Sequence, residues 1–298
     1  MKRLRRLALS FAALLLGTGA AVGEEAVSIV PMTLTQSDYD GGRIYLPVRF
    51  GNVMGMMRLD TGASSSRIAL APWNRELPSL GESASTGASG RTTRCEDVEA
   101  SFVALKASQG NDVARTKYVV TRCAASGGDD LLGVDFFKGA RFTLDFDRKA
   151  LVFVAPQGLG RPKPFRPLGP DRRLLGVELK IGDVGAVGLL DTGAEICAVD
   201  RTFMAKHRKL FALVKAKNTA SEASGGGFAS KIFKIKQIDL GEGRILRDVP
   251  ALVYDFGPLR EALGRGTPVV LGYNLASRFN WDLDFRAPDA PTWDARAR

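Results

Sequence analysis

The chain has 298 residues, long enough for one large domain or two modest ones with proper hydrophobic cores. Its hydrophobic fraction of 45% and charged fraction of 25% are ordinary for a soluble globular protein. It contains no run of 18 or more apolar residues, which excludes a bilayer-spanning helix, and its 16 Phe and 33 Gly favour strands joined by turns.

The first 23 residues have the layout of a secretory signal peptide. Four basic residues precede an apolar stretch from Leu7 to Val22, and small residues surround a cut expected after Ala21 or Gly23. The alternative is a short uncleaved anchor. Removing residues 1–23 lowers the net charge from +10 to +6, and the product is expected to be periplasmic or secreted, with no stable membrane span. Residues 24–42 could form an outer strand or remain loose.

The remaining positive charge does not predict a nucleic-acid partner. A moderate charge of this kind fits a solvated surface that prefers the anionic side of a membrane equally well. The densest basic run, residues 205–217, is expected to be an exposed helix face, because no aromatic or Gly-rich residues interleave it.

The tetrapeptide Asp-Thr-Gly-Ala occurs twice, at residues 60–63 and 191–194, and the residues before it align without a gap at an offset of 131. Both copies begin with apolar residues at every second position, which predicts half-buried strands. Gly51-Asn52 and Gly182-Asp183 then predict hairpin turns into the strand that leads to each Asp.

A second match follows each tetrapeptide at an offset of 139. Residues 131–137 (LLGVDFF) match residues 270–276 (VLGYNLA), and residues 142–146 match residues 281–285. A repeat of this size predicts two lobes that share one plan. We assign the lobes to residues 43–154 and 174–287, with a Pro-rich linker at 155–173 that forms neither strand nor helix, and an irregular tail at 288–298.

Three cysteines are present, and an exported protein meets an oxidising compartment. Cys95 and Cys123 flank two predicted strands whose turn contains their midpoint, residue 109, so a symmetric hairpin brings them face to face. We therefore predict a disulfide between Cys95 and Cys123. Cys197 is left without a partner and is expected to be a small buried hydrophobe.

The paired Asp-Thr-Gly loops carry the predicted chemistry. Gly allows a tight turn at which backbone amides approach the Asp carboxylate. If the two loops meet at a pseudo-two-fold axis, Asp60 and Asp191 lie close together and share one proton across the working pH range. One carboxylate can then take a proton from water while the other protonates a scissile carbonyl oxygen.

With these motifs the chain resembles the aspartic peptidases, and its Ala after Asp-Thr-Gly is closer to the retropepsin-like members than to pepsin. The resemblance covers residues 43–287 and implies an all-β, two-lobed fold with closed, barrel-like lobes. It implies an exported endopeptidase that is a monomer, acts on peptide or protein substrates, and uses neither metal nor cofactor. The alternative is a non-catalytic peptide-binding or inhibitor module on the same fold. An unrelated β-rich domain whose Asp-Thr-Gly only makes turns is a third reading.

The resemblance assigns a role to each matching position. Asp60 and Asp191 are the expected catalytic pair, and the hydroxyls of Thr61 and Thr192 are expected to exchange hydrogen bonds beneath them. Backbone of Gly62 and Gly193 is expected to face the substrate. Gly133 and Gly272 are expected to pack under the loops.

Two further features bear on the predicted site. Gly- and Ser-rich stretches at residues 85–93 and 220–228 are candidates for flaps that close over substrate, with plain solvent loops as the alternative. Neither contains a Tyr of the pepsin kind. Glu195 could raise the pKa values of the pair, although an outward orientation is the simpler expectation.

The sequence lacks the residue patterns that other hydrolase mechanisms require. His207 is the only histidine, it lies inside the basic run, and an exposed position is expected for it. The sequence contains no nucleophile elbow, zinc motif, P-loop or dinucleotide fingerprint.

Overall fold

A computed structural model describes residues 27–88, 90–124, 128–153, 161–169, 172–221, 227–264 and 266–298. The predicted signal peptide at residues 1–23 lies outside these described residues, as do parts of the predicted linker and the turn of the second candidate flap. Among the described residues, no helix combines the length and the apolar character that a bilayer crossing needs.

Strands make up most of the regular secondary structure of the described residues. In the first half these are β1 Ser28–Pro31, β2 Thr33–Ser37, β3 Gly41–Phe50, β4 Val53–Leu59, β5 Arg67–Ala69, β6 Ser79–Thr86, β7 Thr92–Leu105, β8 Val113–Cys123, β9 Leu131–Leu132, β10 Arg141–Asp145 and β11 Ala150–Phe153. In the second half they are β12 Lys163–Pro164, β13 Arg166–Leu168, β14 Leu174–Ile181, β15 Val184–Leu190, β16 Cys197–Asp200, β17 Phe211–Ser221, β18 Gly227–Asp239, β19 Ile245–Tyr254, β20 Val269–Leu271, β21 Phe279–Asp284 and β22 Thr292–Ala297.

Helices are short and few among the described residues. The α-helices are α1 Arg201–Lys206, α2 Arg260–Leu263 and α3 Tyr273–Ala276. Single 3₁₀ turns occupy Pro72–Asn74, Val134–Phe137, Arg208–Leu210 and Gly257–Leu259. The structure thus confirms the predicted all-β class.

Two eight-stranded sheets repeat one topology. The order β2-β3-β4-β9-β5-β8-β7-β6 in the first corresponds strand for strand to β13-β14-β15-β20-β16-β19-β18-β17 in the second. In each, a short strand runs parallel to the strand that leads into Asp-Thr-Gly: β9 beside β4, and β20 beside β15. The sequence repeat therefore corresponds to a structural repeat.

The alternating apolar residues of both copies form the inner faces of these sheets. On β3, the side chains of Ile44, Leu46 and Val48 are completely buried, whereas the residues between them are half-buried. On β14, Val177 and Ile181 occupy the same kind of position. This alternation fixes the register, because a slip by one residue would expose the whole apolar set.

A third sheet joins the two halves. Its order is β1-β11-β10-β21-β22-β12, so strands from both ends of the chain lie side by side. The two closing strands recognised in the sequence, β10 and β21, pair with each other, with Phe142 opposite Leu283. Trp281 and Trp293 are buried in this sheet, with ring centroids 5.6 Å apart. The halves consequently share one continuous core.

The N-terminal segment pairs rather than remaining loose. β1 lies antiparallel to β11 in the shared sheet, and β2 lies antiparallel to β3 in the first lobe.

The expectation that residues 155–173 form no strand is wrong for part of that range. β12 pairs with β22, and β13 pairs with β14, each as the edge strand of its sheet. Pro164 and Pro167 are compatible with these positions because an edge strand has one side on which no ladder hydrogen bond is needed.

The tail at residues 288–298 is also more regular than expected. β22 pairs along its full length with β21. The buried side chains of Trp293 and Ala295 explain the difference, since they give this segment an apolar face that the sheet covers.

The expected helix over residues 205–217 is another correction. α1 ends at Lys206 and β17 begins at Phe211, so most of the basic run is strand. Phe211 is 7% exposed and pairs with Ile235, and this packing overrides the helix-like composition. His207 caps α1 half-buried rather than exposed, and its ring lies 4.6 Å from that of Phe203.

The predicted disulfide is present. Cys95 and Cys123 are direct partners in the β7–β8 ladder, with their Cα atoms 4.3 Å apart, and the turn between these strands contains residue 109. Cys197 is buried without a disulfide partner, and burial raises the pKa of its thiol to about 12, as suits a residue that acts as a small hydrophobe.

Removing this disulfide should measurably destabilise the first lobe. The bond closes a loop with a sequence separation of 28 residues, for which the chain-entropy relation gives about 3–4 kcal/mol. Thermal unfolding of the Cys95→Ser/Cys123→Ser double variant should show this loss. Cys197→Ala is the control, because it removes a thiol without opening a loop or burying a new hydroxyl. An unchanged melting temperature in the double variant would contradict the expectation.

Candidate active site

Each predicted catalytic Asp directly follows a strand whose last three residues are buried. β4 ends at Leu59 and β15 ends at Leu190, and the strand running parallel to each accepts a hydrogen bond from the next residue. The backbone N–H of Asp60 donates to the carbonyl of Leu132 at 3.0 Å, and that of Asp191 donates to the carbonyl of Leu271 at 3.0 Å. The two carboxyl groups are therefore held at matching ends of the two sheets.

The two threonines join the loops across the lobe boundary. The Thr61 hydroxyl donates to the carbonyl of Leu190 at 2.8 Å and accepts from the N–H of Thr192 at 3.0 Å. The Thr192 hydroxyl donates to the carbonyl of Leu59 at 2.9 Å and accepts from the N–H of Thr61 at 3.2 Å. Both threonines are buried, so this reciprocal set of four bonds is shielded from water.

The carboxyl groups of Asp60 and Asp191 meet at this junction, within hydrogen-bonding reach of each other. Each also lies against the glycine of the opposite loop. A Cβ placed on Gly193 would come 2.4 Å from Cγ of Asp60, and one placed on Gly62 would come 2.4 Å from Cγ of Asp191. Any larger residue at either glycine would force the pair apart.

Burial and mutual repulsion shift the titration of the pair. Burial raises the pKa of Asp60, against the opposing effects of the Arg58 guanidinium and a hydrogen bond with Asp191. Burial, followed by the negative charge of Asp60, raises the pKa of Asp191 well above its ordinary value. Both residues retain partial solvent exposure. The pair can thus hold one proton at pH values where isolated carboxyls hold none.

Gly133 and Gly272 lie beneath the two loops. A Cβ on Gly133 would come 2.9 Å from the carbonyl oxygen of Ala63, and one on Gly272 would come 2.5 Å from the carbonyl carbon of Ile196. The backbone of each apolar-apolar-Gly element therefore supports one Asp-Thr-Gly loop directly.

A polar group under the first loop was not predicted from the sequence. The Ser66 hydroxyl accepts from the N–H of Gly133 at 2.9 Å and contacts both Tyr118 and Asp135, at 2.6 and 3.0 Å. In the second lobe, Asn274 accepts from the N–H of Cys197 at 2.9 Å. Asp135 and Asn274 are equivalent at the offset of 139, and each accepts a hydrogen bond from the segment that follows its Asp-Thr-Gly loop. The aligned polar residues were the signal in the sequence for this role.

Glu195 forms an ion pair rather than facing solvent alone. Arg43 of the first lobe binds its carboxylate at 2.7 Å. Burial acts to raise the pKa of Glu195, but hydrogen bonds from Ser37 and Arg43 outweigh it, and the pKa is lowered. Its charge is consequently neutralised by Arg43, and it joins the two lobes at the edge of the site.

The first candidate flap is a hairpin. β6 and β7 pair from Ser79 to Thr86, and in the turn between them the N–H of Gly87 donates to the carbonyl of Arg91 at 3.0 Å and the N–H of Gly90 donates to the carbonyl of Gly87 at 2.9 Å. In the second candidate, β17 and β18 pair as far as Ser221 and Gly227, and residues 222–226 lie outside the described part of the chain. In the described ranges, no group of three or more His, Cys, Asp or Glu side chains is arranged to hold a metal ion.

Taken together, the sheets and paired loops define a two-lobed protein with the aspartic-peptidase fold. Residues 177–275, within the second lobe, match the family model described as aspartyl protease. No curated protein sequence matches the chain at a significant level.

Solved structures of the same fold cover nearly the whole chain. They include basic 7S globulin from soybean (14% identity, TM-score 0.53, covering 91% of this chain and 95% of that one). Conglutin gamma from lupine seeds is similar at 11% identity and TM-score 0.56, covering 91% and 95%. An aspartic proteinase from Irpex lacteus is similar at 16% identity and TM-score 0.51, covering 91% and 97%. At these identities the likeness establishes the fold, and function must be argued from the site.

Proposed function

We propose that the protein is an aspartic endopeptidase that hydrolyses peptide bonds with a water molecule activated between Asp60 and Asp191. The observation that carries the proposal is the meeting of two half-buried carboxyl groups, one from each lobe, whose pKa values are both raised. A pair of this kind shares a proton, and so offers a base and an acid at the same pH.

The proposed reaction has two steps. In the first, one carboxylate accepts a proton from water as the water oxygen bonds to the scissile carbonyl carbon, and the partner gives its proton to the carbonyl oxygen. The product is a neutral tetrahedral diol. In the second, the newly protonated Asp gives its proton to the amide nitrogen as the C–N bond breaks. The other Asp takes a proton from a diol hydroxyl, which restores the starting state.

The substrate is proposed to be a peptide or protein segment bound in extended form. Strand-like pairing with the β6–β7 hairpin would supply backbone hydrogen bonds, and alternate side chains would enter the cleft. Since one chain supplies both Asp-Thr-Gly loops, a monomer suffices for activity. Neither nucleic acid nor a cofactor has a role in this proposal.

We further propose that the protein is exported to the periplasm or secreted. The signal-peptide layout of residues 1–23 and the disulfide between Cys95 and Cys123 both support this location, because disulfides persist in oxidising compartments.

A non-catalytic peptide-binding module is the second candidate. Two of the three similar structures named above are described as globulins rather than proteinases, which keeps this candidate open. The presence of both Asp residues in one site favours catalysis, since a binding module has no need of a shared proton.

The test is cleavage of a mixed peptide library between pH 3 and pH 7, followed by mass spectrometry of the products. The wild-type protein should cleave, with activity falling as pH rises past the point where both carboxyls ionise, and Asp60→Asn and Asp191→Asn should each lose cleavage. Peptide binding without cleavage by the folded wild type would favour the binding module. Cleavage that continues unchanged in either Asn variant would exclude the proposed mechanism.

A further inference from the structure

The two catalytic loops are related by the repeat, but the side chains around them are not. On the strands beside Asp60, the chain carries Arg58 and Arg67. At the equivalent positions beside Asp191, at an offset of 131, it carries Leu189 and Ala198. We call Asp60 and Asp191 together the dyad. The repeat therefore places two guanidinium groups on one side of the dyad and apolar side chains on the other.

Arg58 lies between the two Asp-Thr-Gly loops. It lies on β4, two residues before Asp60, which directly follows that strand. Its guanidinium donates a hydrogen bond to the carbonyl oxygen of Gly193, the residue that lies against the carboxyl of Asp60. Arg58 thus ties the loop of one Asp to the loop of the other.

The positive charge of Arg58 is only partly compensated. The residue is 7% exposed, and its Nε is buried with no hydrogen-bond partner among the described residues. Its one ion-pair contact, to Asp129, is long at 3.5 Å. The same oxygen of Asp129 also accepts from Arg43 at 3.1 Å and from Tyr45 at 3.0 Å.

Glu195 and Asp130, which also lie near the dyad, already have ion-pair or hydrogen-bond partners. Glu195 is paired with Arg43, and Asp130 accepts from the N–H of Ala69 at 2.7 Å and lies near Arg67. Among the described residues, the charged and titratable groups that surround the dyad are, by element, Arg43 and Tyr45 on β3, Arg58 on β4, Arg67 on β5, Asp129 and Asp130 before β9, Glu195 after Asp191, and the thiol of Cys197 on β16. Within this set, Arg58 donates a hydrogen bond to the backbone of the opposite catalytic loop, whereas Glu195 belongs to that loop and is paired with Arg43.

We propose that Arg58 is a positioning residue that breaks the symmetry of the dyad, so that the shared proton resides on Asp191 and Asp60 is the carboxylate. A positive charge held on the Asp60 side stabilises the ionised form of Asp60 more than that of Asp191. The geometry gives this charge its place: the Arg58 guanidinium is bonded to the carbonyl of Gly193, which lies against the Asp60 carboxyl, and the positive charge of Arg58 opposes the rise that burial causes in the pKa of Asp60.

The inference rests on the proposed function only for its catalytic consequence. In that setting, Asp60 is the base that takes the first proton from water, and Asp191 is the acid that protonates the carbonyl oxygen. Protonation of the dyad can be measured without any turnover. The effect of Arg58 on the dyad could therefore be measured even in a protein with no detectable peptidase activity.

The experiment is a carbon NMR titration of the full chain with labelled Asp side-chain carboxyls, assigned with Asp60→Asn and Asp191→Asn. In the wild type, Asp60 should ionise at the lower pH and Asp191 should keep the shared proton. Arg58→Leu, which copies Leu189, should move both midpoints up by about one pH unit, with the larger shift at Asp60. Arg58→Lys should keep most of the wild-type separation, because it retains the charge.

Arg141→Leu is the matched control, since it removes another poorly exposed, ion-paired arginine, from the sheet that joins the lobes. Its titration midpoints should match the wild type. If Arg58→Leu does not fold, Arg58→Met supplies the same readout with the side-chain stem retained. A wild-type titration in which Asp60 keeps the proton overturns the proposal, as do unchanged midpoints in a folded Arg58→Leu or Arg58→Met variant. In an active enzyme, the pH limits of kcat should follow the same shifts, whereas a purely structural loss would lower kcat without moving them.

Discussion

Asp191→Asn is expected to lower kcat/KM by about a thousand-fold or more while making the folded protein more stable near neutral pH. The activity loss follows because Asn cannot give a proton to the substrate carbonyl or return it, and a positioned acid or base contributes about 10²–10⁴-fold. The stability gain follows because Asn carries no charge to bury.

The sign of the stability change comes from the raised pKa of Asp191. A carboxyl whose pKa is higher in the folded state binds its proton more tightly there than in the unfolded chain. The free energy of unfolding therefore falls as pH rises from the unfolded pKa through the folded one, and above that range the full penalty applies. Each unit of raised pKa is worth about 1.4 kcal/mol, so the stability gain of Asp191→Asn should grow as pH rises towards 7.

Denaturant unfolding of the wild type and Asp191→Asn at pH 3.5 and pH 7 separates this effect from a general change in packing. The two proteins should be nearly equally stable at the acid end and should diverge as pH rises. Asp282→Asn is the control, because Asp282 is paired with Arg141 and its loss should destabilise. A variant that is less stable than wild type at pH 7 would contradict a costly buried charge at Asp191.

The repeat made the centre of the site predictable from the sequence. Asp60 and Asp191 follow identical patterns of alternation, turn and strand, and local rules of this kind fix where a strand ends and a loop begins. Pairing of Cys95 with Cys123 was also predictable, because a symmetric hairpin determines which residues face each other. Such features depend on neighbours in the sequence or on the repeat itself.

Features that depend on distant partners were not predictable in the same way. The ion pair between Arg43 and Glu195 joins residues 152 positions apart, and nothing near either residue specifies the other. β12 and β22 form because an exposed sheet edge is available for them, which local composition does not reveal. The difference between Arg58 and Leu189 was visible in the aligned motifs, but its meaning required knowing that the Arg58 guanidinium reaches Gly193.

Thr192→Val is expected to destabilise the protein by about 3–5 kcal/mol, the largest stability loss that we predict for a single substitution. Valine has nearly the shape of threonine, so no cavity is created. It removes the hydroxyl that donates to the carbonyl of Leu59 and accepts from the N–H of Thr61. Both backbone groups would be left unsatisfied at a buried junction, at about 1–3 kcal/mol each, in addition to the lost bonds themselves.

Thr192→Ser separates the hydroxyl from the methyl group. Serine keeps both hydrogen bonds and loses only a buried methyl, so it should cost about 1 kcal/mol. Denaturant unfolding of the two variants side by side, with peptide cleavage measured on the folded fraction, tests the role of the lattice. Because the four bonds cross between lobes, losing two of them should also let Asp60 and Asp191 separate, and cleavage should fall further in the valine variant than in the serine variant. A serine variant that is less stable than the valine variant would mean that the methyl group, rather than the reciprocal hydroxyls, holds the loops together.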